Sequence, residues 1–171
     1  NPNSPYSSSK ASSDLLFHSY FKTFGTDIIT THTCNNFGER QNIEKFIPTV
    51  INCLKGNKKI PIYGNGKNIR EWIYVKDNVN AILKIIKYGK SGENYNIGSG
   101  FRMSNIEIVK SIVKKINFLW KTDISFYDVI NFVEDRKGHD FRYALNSKKI
   151  SKELNFKIKN NFDYNLTRTI K

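Results

Sequence analysis

The sequence predicts an α/β fold with a mainly parallel sheet. Three observations carry this: short apolar runs alternate with amphipathic helical segments, glycine-rich turn signals fall between them, and 39% of residues are hydrophobic with 13% aromatic. That composition supports a packed core and excludes a disordered or collagen-like chain. The 171 residues fit one domain or two small lobes, on a prior of roughly 150 residues per domain.

Residues 5–24 read as a helix, with Leu15, Leu16, Tyr20 and Phe24 at helical spacing and Gly25 as its C-terminal cap. Ile28-Ile29 reads as a buried strand that ends in a polar loop, Thr33-Cys34-Asn35-Asn36-Phe37-Gly38, and strand ends of this kind hold ligands in open α/β sheets. Phe46 to Leu54 reads as a helix broken at Gly56. Ile60–Tyr63 and Ile69–Val75 read as two strands joined through the turn Gly64-Asn65-Gly66. Asp77 is expected to cap a helix whose apolar face is Val79, Ile82, Leu83 and Ile86, closed by Gly89. Asn94–Ile97 reads as a buried strand ending in Gly98-Ser99-Gly100. Ser104-Asn105-Ile106-Glu107 has capping-box form before a helix striped by Ile106, Val109, Ile112, Val113 and Ile116. After a variable stretch, 118–132, the chain is expected to form a polar loop over Asp135–Tyr143, a short helix over Ser147–Leu154, and a last helix running into Ile170-Lys171.

No run of about 18 apolar residues predicts a transmembrane helix. The opening Asn-Pro-Asn-Ser-Pro has neither the basic nor the apolar region of a signal peptide, so the expected location is the cytoplasm. Cys34 and Cys53 form no C-x-x-C pair, and His18, His32 and His139 lie far apart, so no metal is assigned. The net charge of +13 would fit a nucleic-acid-binding module. However, 22 Lys, 22 Ile and 21 Asn are all specified by A/T-rich codons and the lysines are scattered, so the charge reads as a solvated surface without a nucleic-acid partner.

Tyr6 and Lys10 stand four apart on the first helix and share a face. An ammonium beside a phenol favours the phenolate and makes it a usable base. The spacing alone is weak: roughly one Tyr-x-x-x-Lys is expected by chance, and Tyr63 with Lys67 is a second. The surrounding Ser-Pro-Tyr-Ser-Ser-Ser-Lys-Ala-Ser-Ser-Asp, however, resembles the catalytic helix of the extended short-chain dehydrogenases/reductases. The likeness continues in order through Asn35-Asn36-Phe37-Gly38, Glu44-Lys45-Phe46-Ile47-Pro48, Pro61-Ile62-Tyr63-Gly64-Asn65-Gly66, Ile69-Arg70-Glu71-Trp72-Ile73-Tyr74-Val75-Lys76-Asp77 and Tyr95-Asn96-Ile97-Gly98. The most discriminating element, Asp135-Arg136-Lys137-Gly138-His139-Asp140-Phe141-Arg142-Tyr143-Ala144, is similar to a motif of the dTDP-glucose 4,6-dehydratases within that superfamily.

The resemblance implies the C-terminal part of a Rossmann-type parallel sheet plus a smaller α/β substrate-binding domain. Residues 1–40 would end the NAD-binding half and 41–171 would be mainly the sugar-nucleotide domain, with segments returning to the first. It implies Tyr6 as base, Lys10 as its cation and a ligand of the nicotinamide ribose, and Asn36 as a further NAD contact. Asn35, Lys45, Phe46, Pro61, Ile62, Tyr63, Arg70, Asn105, Asp135, Arg136, Lys137, Gly138 and His139 would line the site for dTDP-glucose. The implied reaction passes the C4 hydride to NAD, loses water across C5 and C6, and returns hydride to C6, in a homodimer built through the Tyr6 helix. Other readings of single residues stay open: Lys45 as a solvated helix residue, Asn35-Asn36 as a plain turn, Arg70 with Glu71 as a surface ion pair, Phe46 and Tyr63 as core aromatics, His139 as a loop cap.

Two features depart from the family. No Gly-x-x-Gly-x-x-Gly phosphate loop and no Thr-Asp-Glu stretch occur, so the chain is expected to be a piece of a longer protein and inactive alone. Lys137 replaces a usual Pro and Phe37 a usual Tyr. The alternatives are a related nucleotide-sugar epimerase or decarboxylase and, from another class, the basic nucleic-acid-binding module.

Overall fold

The computed structural model describes residues 2–159 and 161–171. In chain order these form α1 (Pro5–Phe24), β1 (Thr30–Thr33), β2 (Asn35–Phe37), α2 (Phe46–Lys55), β3 (Ile60–Tyr63), β4 (Ile69–Tyr74), α3 (Val75–Tyr88), β5 (Asn94–Ile97), β6 (Arg102–Ser104), α4 (Asn105–Trp120), α5 (Phe126–Val129), β7 (Ile130–Val133), β8 (Arg142–Tyr143), α6 (Lys148–Leu154) and α7 (Phe162–Ile170). The α/β class is as expected, with parallel pairing of β1 with β5, β2 with β4, β3 with β7 and β8 with β4, and one antiparallel pair, β4 with β6. No helix among the described residues is long and apolar enough to cross a membrane.

β4 organises the interior because both of its faces are covered. Trp72 and Tyr74 point into a core built from α2, α4, β3 and α7, with Ile47, Val50, Ile60, Ile62, Val109, Ile112 and Leu166. Ile73, on the opposite face, joins a second core of Cys34, Ala81, Ile85, Tyr95, Ile97, Ile150 and Leu154. This alternation follows from the two-residue period of a strand. Glu71 shares the face of Ile73 and has no exposure. Its carboxylate is nevertheless satisfied, accepting from Gly100 N at 2.8 Å, Leu145 N at 2.9 Å and Arg102 Nε at 3.4 Å. A buried charge is tolerated only with such partners.

The helices form where capping and periodicity place them. Ser4 caps α1 and Gly25 closes it at φ 64°, and Ser104 with Glu107 makes the full capping box of α4. Four expectations are corrected. The strand after α1 begins at Thr30, two residues beyond Ile28. Asn35–Phe37, expected as loop, is a strand, because its backbone pairs with Trp72–Tyr74. β3 and β4 do not form a hairpin: Gly66 O and Asn68 O accept from Ile106 N and Asn105 N, so the start of α4 occupies the turn and β3 pairs with β7. Finally, α3 begins at Val75 with Asp77 inside its first turn, and it buries Asn78, Ala81 and Ile85, while Val79, Leu83 and Ile86 are exposed.

α7 is held by polar contacts as well as by Leu166 and Ile170. Tyr74 Oη donates to both oxygens of Glu39 at 2.9 and 2.7 Å, and Arg168 reaches the same carboxylate at 3.1 Å. The Tyr74 hydrogen bond is the main reason that the Glu39 carboxyl is held below its ordinary value of 4.5. A depressed carboxyl contributes stability above its unfolded pKa and loses it as pH falls through the folded one. Docking of α7 is therefore expected to weaken only below about pH 4.5, and Glu39→Gln should remove that acid dependence when urea midpoints are compared across pH. Glu71→Ala strands two backbone N–H groups and should lower stability by about 3 kcal/mol in urea unfolding.

Candidate active site

The residues expected to line the site come from α1, β2, the start of α2, β3, β4, the start of α4 and the loop ahead of β8. Tyr6 and Lys10 are together as the helical spacing requires, with Lys10 Nζ 5.6 Å from the Tyr6 ring centroid. Tyr6 is 71% exposed. α1 itself buries no residue. Phe21 rests on Gly92, where φ is +78° and a Cβ would lie 2.3 Å from the ring. Leu15, Leu16, Tyr20 and Phe24 remain exposed, because nothing among the described residues covers that face.

The segment 135–143 reaches from Tyr63 to Asn3, just ahead of this helix. At one end, Arg136 stacks its guanidinium 4.9 Å from the Tyr63 ring centroid. Asp135 lies against Gly64, where φ is +55° and a Cβ would come 3.0 Å from the carboxylate. In the middle, Gly138 abuts residue 3: a Cβ there would stand 2.6 Å from Asn3 O. At the other end, burial pushes the Tyr143 phenol up.

His139 is more than a loop cap. Its side chain is 8% exposed. Arg136 Nη2 donates to His139 Nε2 at 3.2 Å, so Nε2 is the acceptor and Nδ1–H donates to Asp135 Oδ1 at 2.6 Å. That hydrogen bond is the main cause holding the Asp135 carboxyl below the usual carboxylate range. Arg70 is half-buried and not the partner of Glu71: its guanidinium donates to Asp140 O at 2.8 Å and to Ile69 O at 2.8 Å. Burial lowers its pKa, with Asp140 opposing, and a guanidinium stays charged under such a shift. Asn105 opens α4 with its backbone N–H donated to Asn68 O, and Asn68 Nδ2 in turn reaches Asp140 O.

The other expected residues divide by strand period and helix position. In β3, Pro61 and Tyr63 face outward while Ile62 lies in the core at 1% exposure. Phe46 packs partly against the core, stacked on Trp72 with centroids 6.1 Å apart, and Lys45 is exposed at the start of α2. Lys137 is exposed on the loop. Asn36 is informative. Its Nδ2 donates to Cys34 O at 3.1 Å and Thr33 Oγ1 at 3.3 Å, while Oδ1 is buried without a partner. A buried acceptor left open needs a donor from elsewhere, which fits contact with a bound cofactor amide or hydroxyl. Tyr143, Glu71 and the stack of Phe46 on Trp72 were missed as site features. Tyr143 carried a signal, since it lies within the Asp135–Ala144 motif.

Comparison with known proteins gives a concordant result. The family model described as GDP-mannose 4,6 dehydratase matches residues 1–169. The chain is 41% identical over 174 residues to dTDP-glucose 4,6-dehydratase of Haemophilus influenzae, covering 99% of this chain and 52% of that protein. It is 42% identical over 170 residues to the enzyme of that name from Escherichia coli, covering 99% and 47%. The chain thus spans about half the length of the curated relatives it matches. Among solved structures, dTDP-glucose 4,6-dehydratase from Streptomyces venezuelae with NAD and TYD bound superposes with a TM-score of 0.92 at 38% identity, over 99% of this chain and 51% of that one. UDP-glucuronic acid 4-epimerase from Bacillus cereus superposes at 0.87 with 22% identity over 99% and 52%, a likeness of fold.

The strand end beside the site is closed to reagents. Burial pushes the Cys34 thiol up to about 11. At pH 8, Ellman's reagent should therefore modify the partly exposed Cys53 and spare Cys34 until the chain is unfolded.

Proposed function

The chain belongs to the GDP-mannose 4,6-dehydratase family, and from that premise we propose that the complete protein carrying it converts dTDP-glucose to dTDP-4-keto-6-deoxyglucose and water, a step in making surface deoxysugars. The observation that carries this reading is the 135–143 segment, which runs from the stacked Tyr63–Arg136 pair to Asn3, just ahead of the helix bearing Tyr6 and Lys10. Identity over 99% of the chain to proteins named for this substrate favours it over other sugar nucleotides.

In this mechanism Tyr6 Oη takes the proton of the sugar 4-hydroxyl, with Lys10 as the cation beside it. Tyr6, Lys10 and Asn36 would hold NAD, whose nicotinamide, when bound, would supply hydride acceptance and return. Arg70 would engage the diphosphate, because a half-buried guanidinium gives charge-assisted donors, with the Asn105 side chain beside it at the start of α4. Tyr63 and Arg136 offer a flat wall for the base, with Pro61, Phe46 and Asn35 beside it and Lys45, Asp135, Lys137, Gly138 and His139 completing the rim. Loss of water across C5 and C6 draws on an acid and base outside these motifs, so the 171-residue chain is not expected to turn over alone. The reading includes a division near residue 40 between NAD and sugar-nucleotide halves, a cytoplasmic location, and a homodimer. The exposed Leu15, Leu16, Tyr20 and Phe24 on α1 support the dimer, since a contiguous apolar face marks an interface.

In the complete protein, Tyr6→Phe should lower dTDP-glucose turnover by about 10² or more with an unchanged melting temperature, because Tyr6 is exposed. Turnover of UDP-glucose with rejection of dTDP-glucose would replace this reading by an epimerase or decarboxylase. Salt-steep binding to DNA or RNA without turnover would replace it by the basic binding module.

A further inference from the structure

Asp14 closes the stretch that carries Tyr6 and Lys10, and His32 lies outside the motifs used above; neither has a role so far, yet His32 Nε2 donates to Asp14 Oδ2 at 2.8 Å, joining the middle of α1 to β1. We propose that this pair is the positioning contact that sets the Tyr6–Lys10 face of α1 relative to Asn36, an inference that rests on the catalytic reading of that face. Tyr6, Lys10 and Asp14 recur every four residues, so all three stand on one side of the helix. β1 carries His32 and runs through Cys34 directly into Asn35–Phe37. The pair therefore references the dyad to the strand that presents Asn36 with its open Oδ1.

A helix with no buried residue needs at least two separated contacts to fix its direction. Phe21 against Gly92 is one. At 1.5 Å per residue, Tyr6 lies about 22 Å from Phe21, so a tilt of about 10° about that contact alone would carry Tyr6 by about 4 Å. Asp14–His32 is a further contact, within the helix and about 12 Å from Tyr6, beside the approach of Gly138 to Asn3 ahead of it. Its side chains are 35% and 40% exposed, and an ion pair that open to water adds little to global stability. Position and stability are consequently separable by mutation.

The experiment uses the complete protein with dTDP-glucose as the probe, following kcat, KM, melting temperature and hydrogen exchange over residues 5–24. Asp14→Ala and His32→Ala should each lower kcat about tenfold or more, with KM and melting temperature unchanged and exchange in α1 accelerated while α4 is unaffected. The double variant should be no slower than the slower single one, as two halves of one contact require. His32→Gln, which places an amide nitrogen at similar reach, should restore kcat. An unchanged kcat, additive losses, or a loss of kcat accompanied by a matching fall in melting temperature and a rise in KM would each overturn the inference. If the unaltered protein does not turn over dTDP-glucose, the functional reading fails by itself. The exchange data then judge the contact: acceleration confined to α1 supports it, and no acceleration overturns it.

Discussion

A carboxylate without solvent exposure stands where four segments meet, and the arrangement of the site depends on it. Glu71 is placed inward by the two-residue period of β4, and no water can replace its partners. It must draw Gly100, Leu145 and Arg102 to itself. Gly98 has to be glycine because a Cβ there would come 2.4 Å from Glu71 Oε1. Leu145 stands two residues beyond Tyr143, so Glu71 also fixes the chain where it leaves the Asp135–Tyr143 segment. Arg70, one residue away on the other face, is thereby set against Asp140 of that same loop.

The opposite design holds for α1. The two cores are packed by aliphatic and aromatic side chains of low exposure, whereas the helix that carries Tyr6 and Lys10 contributes nothing to either. Burial supplies most of the stability of a fold, so α1 is held by a ring on a glycine, an ion pair and the approach of Gly138 to Asn3. Arg70 and Asn105, proposed above to meet the substrate, sit on the packed half, and the Asp135–His139 loop lies on its surface. The Tyr6–Lys10 pair, by contrast, is borne on an element whose apolar face is uncovered among the described residues.

Much of this was legible in the sequence because the deciding signals were local. Ser104 and Glu107 announce the start of α4, Gly25 the end of α1, and the four-residue spacing of Tyr6 and Lys10 their shared face. The Asp135–Ala144 motif pointed to the loop that joins the two sides of the site, although Tyr143 within it was overlooked. Other features were not local. Val79, Leu83 and Ile86 repeat with helical phase, yet α3 turns Asn78, Ala81 and Ile85 inward, because the small Ala81 allows close approach to β4 and Asn78 accepts a hydrogen bond from Thr33 Oγ1 at 2.8 Å. The Gly64-Asn65-Gly66 turn has hairpin composition, but the first backbone N–H groups of α4 occupy its carbonyls.

The sequence by itself determined the α/β class, the end of α1 and the start of α4, the shared face of Tyr6 and Lys10 and the family likeness, since each is written in residue type and short spacing. The tertiary structure alone decided that β3 pairs with β7, that Ile62 is core while Tyr63 meets Arg136, that Glu71 is buried and that Asp14 finds His32. Periodicity records that a side chain is apolar or charged at a given phase. Which neighbour covers or pairs with it is set by contacts between residues distant in the chain, here 73 positions from Tyr63 to Arg136, and no local pattern encodes that distance.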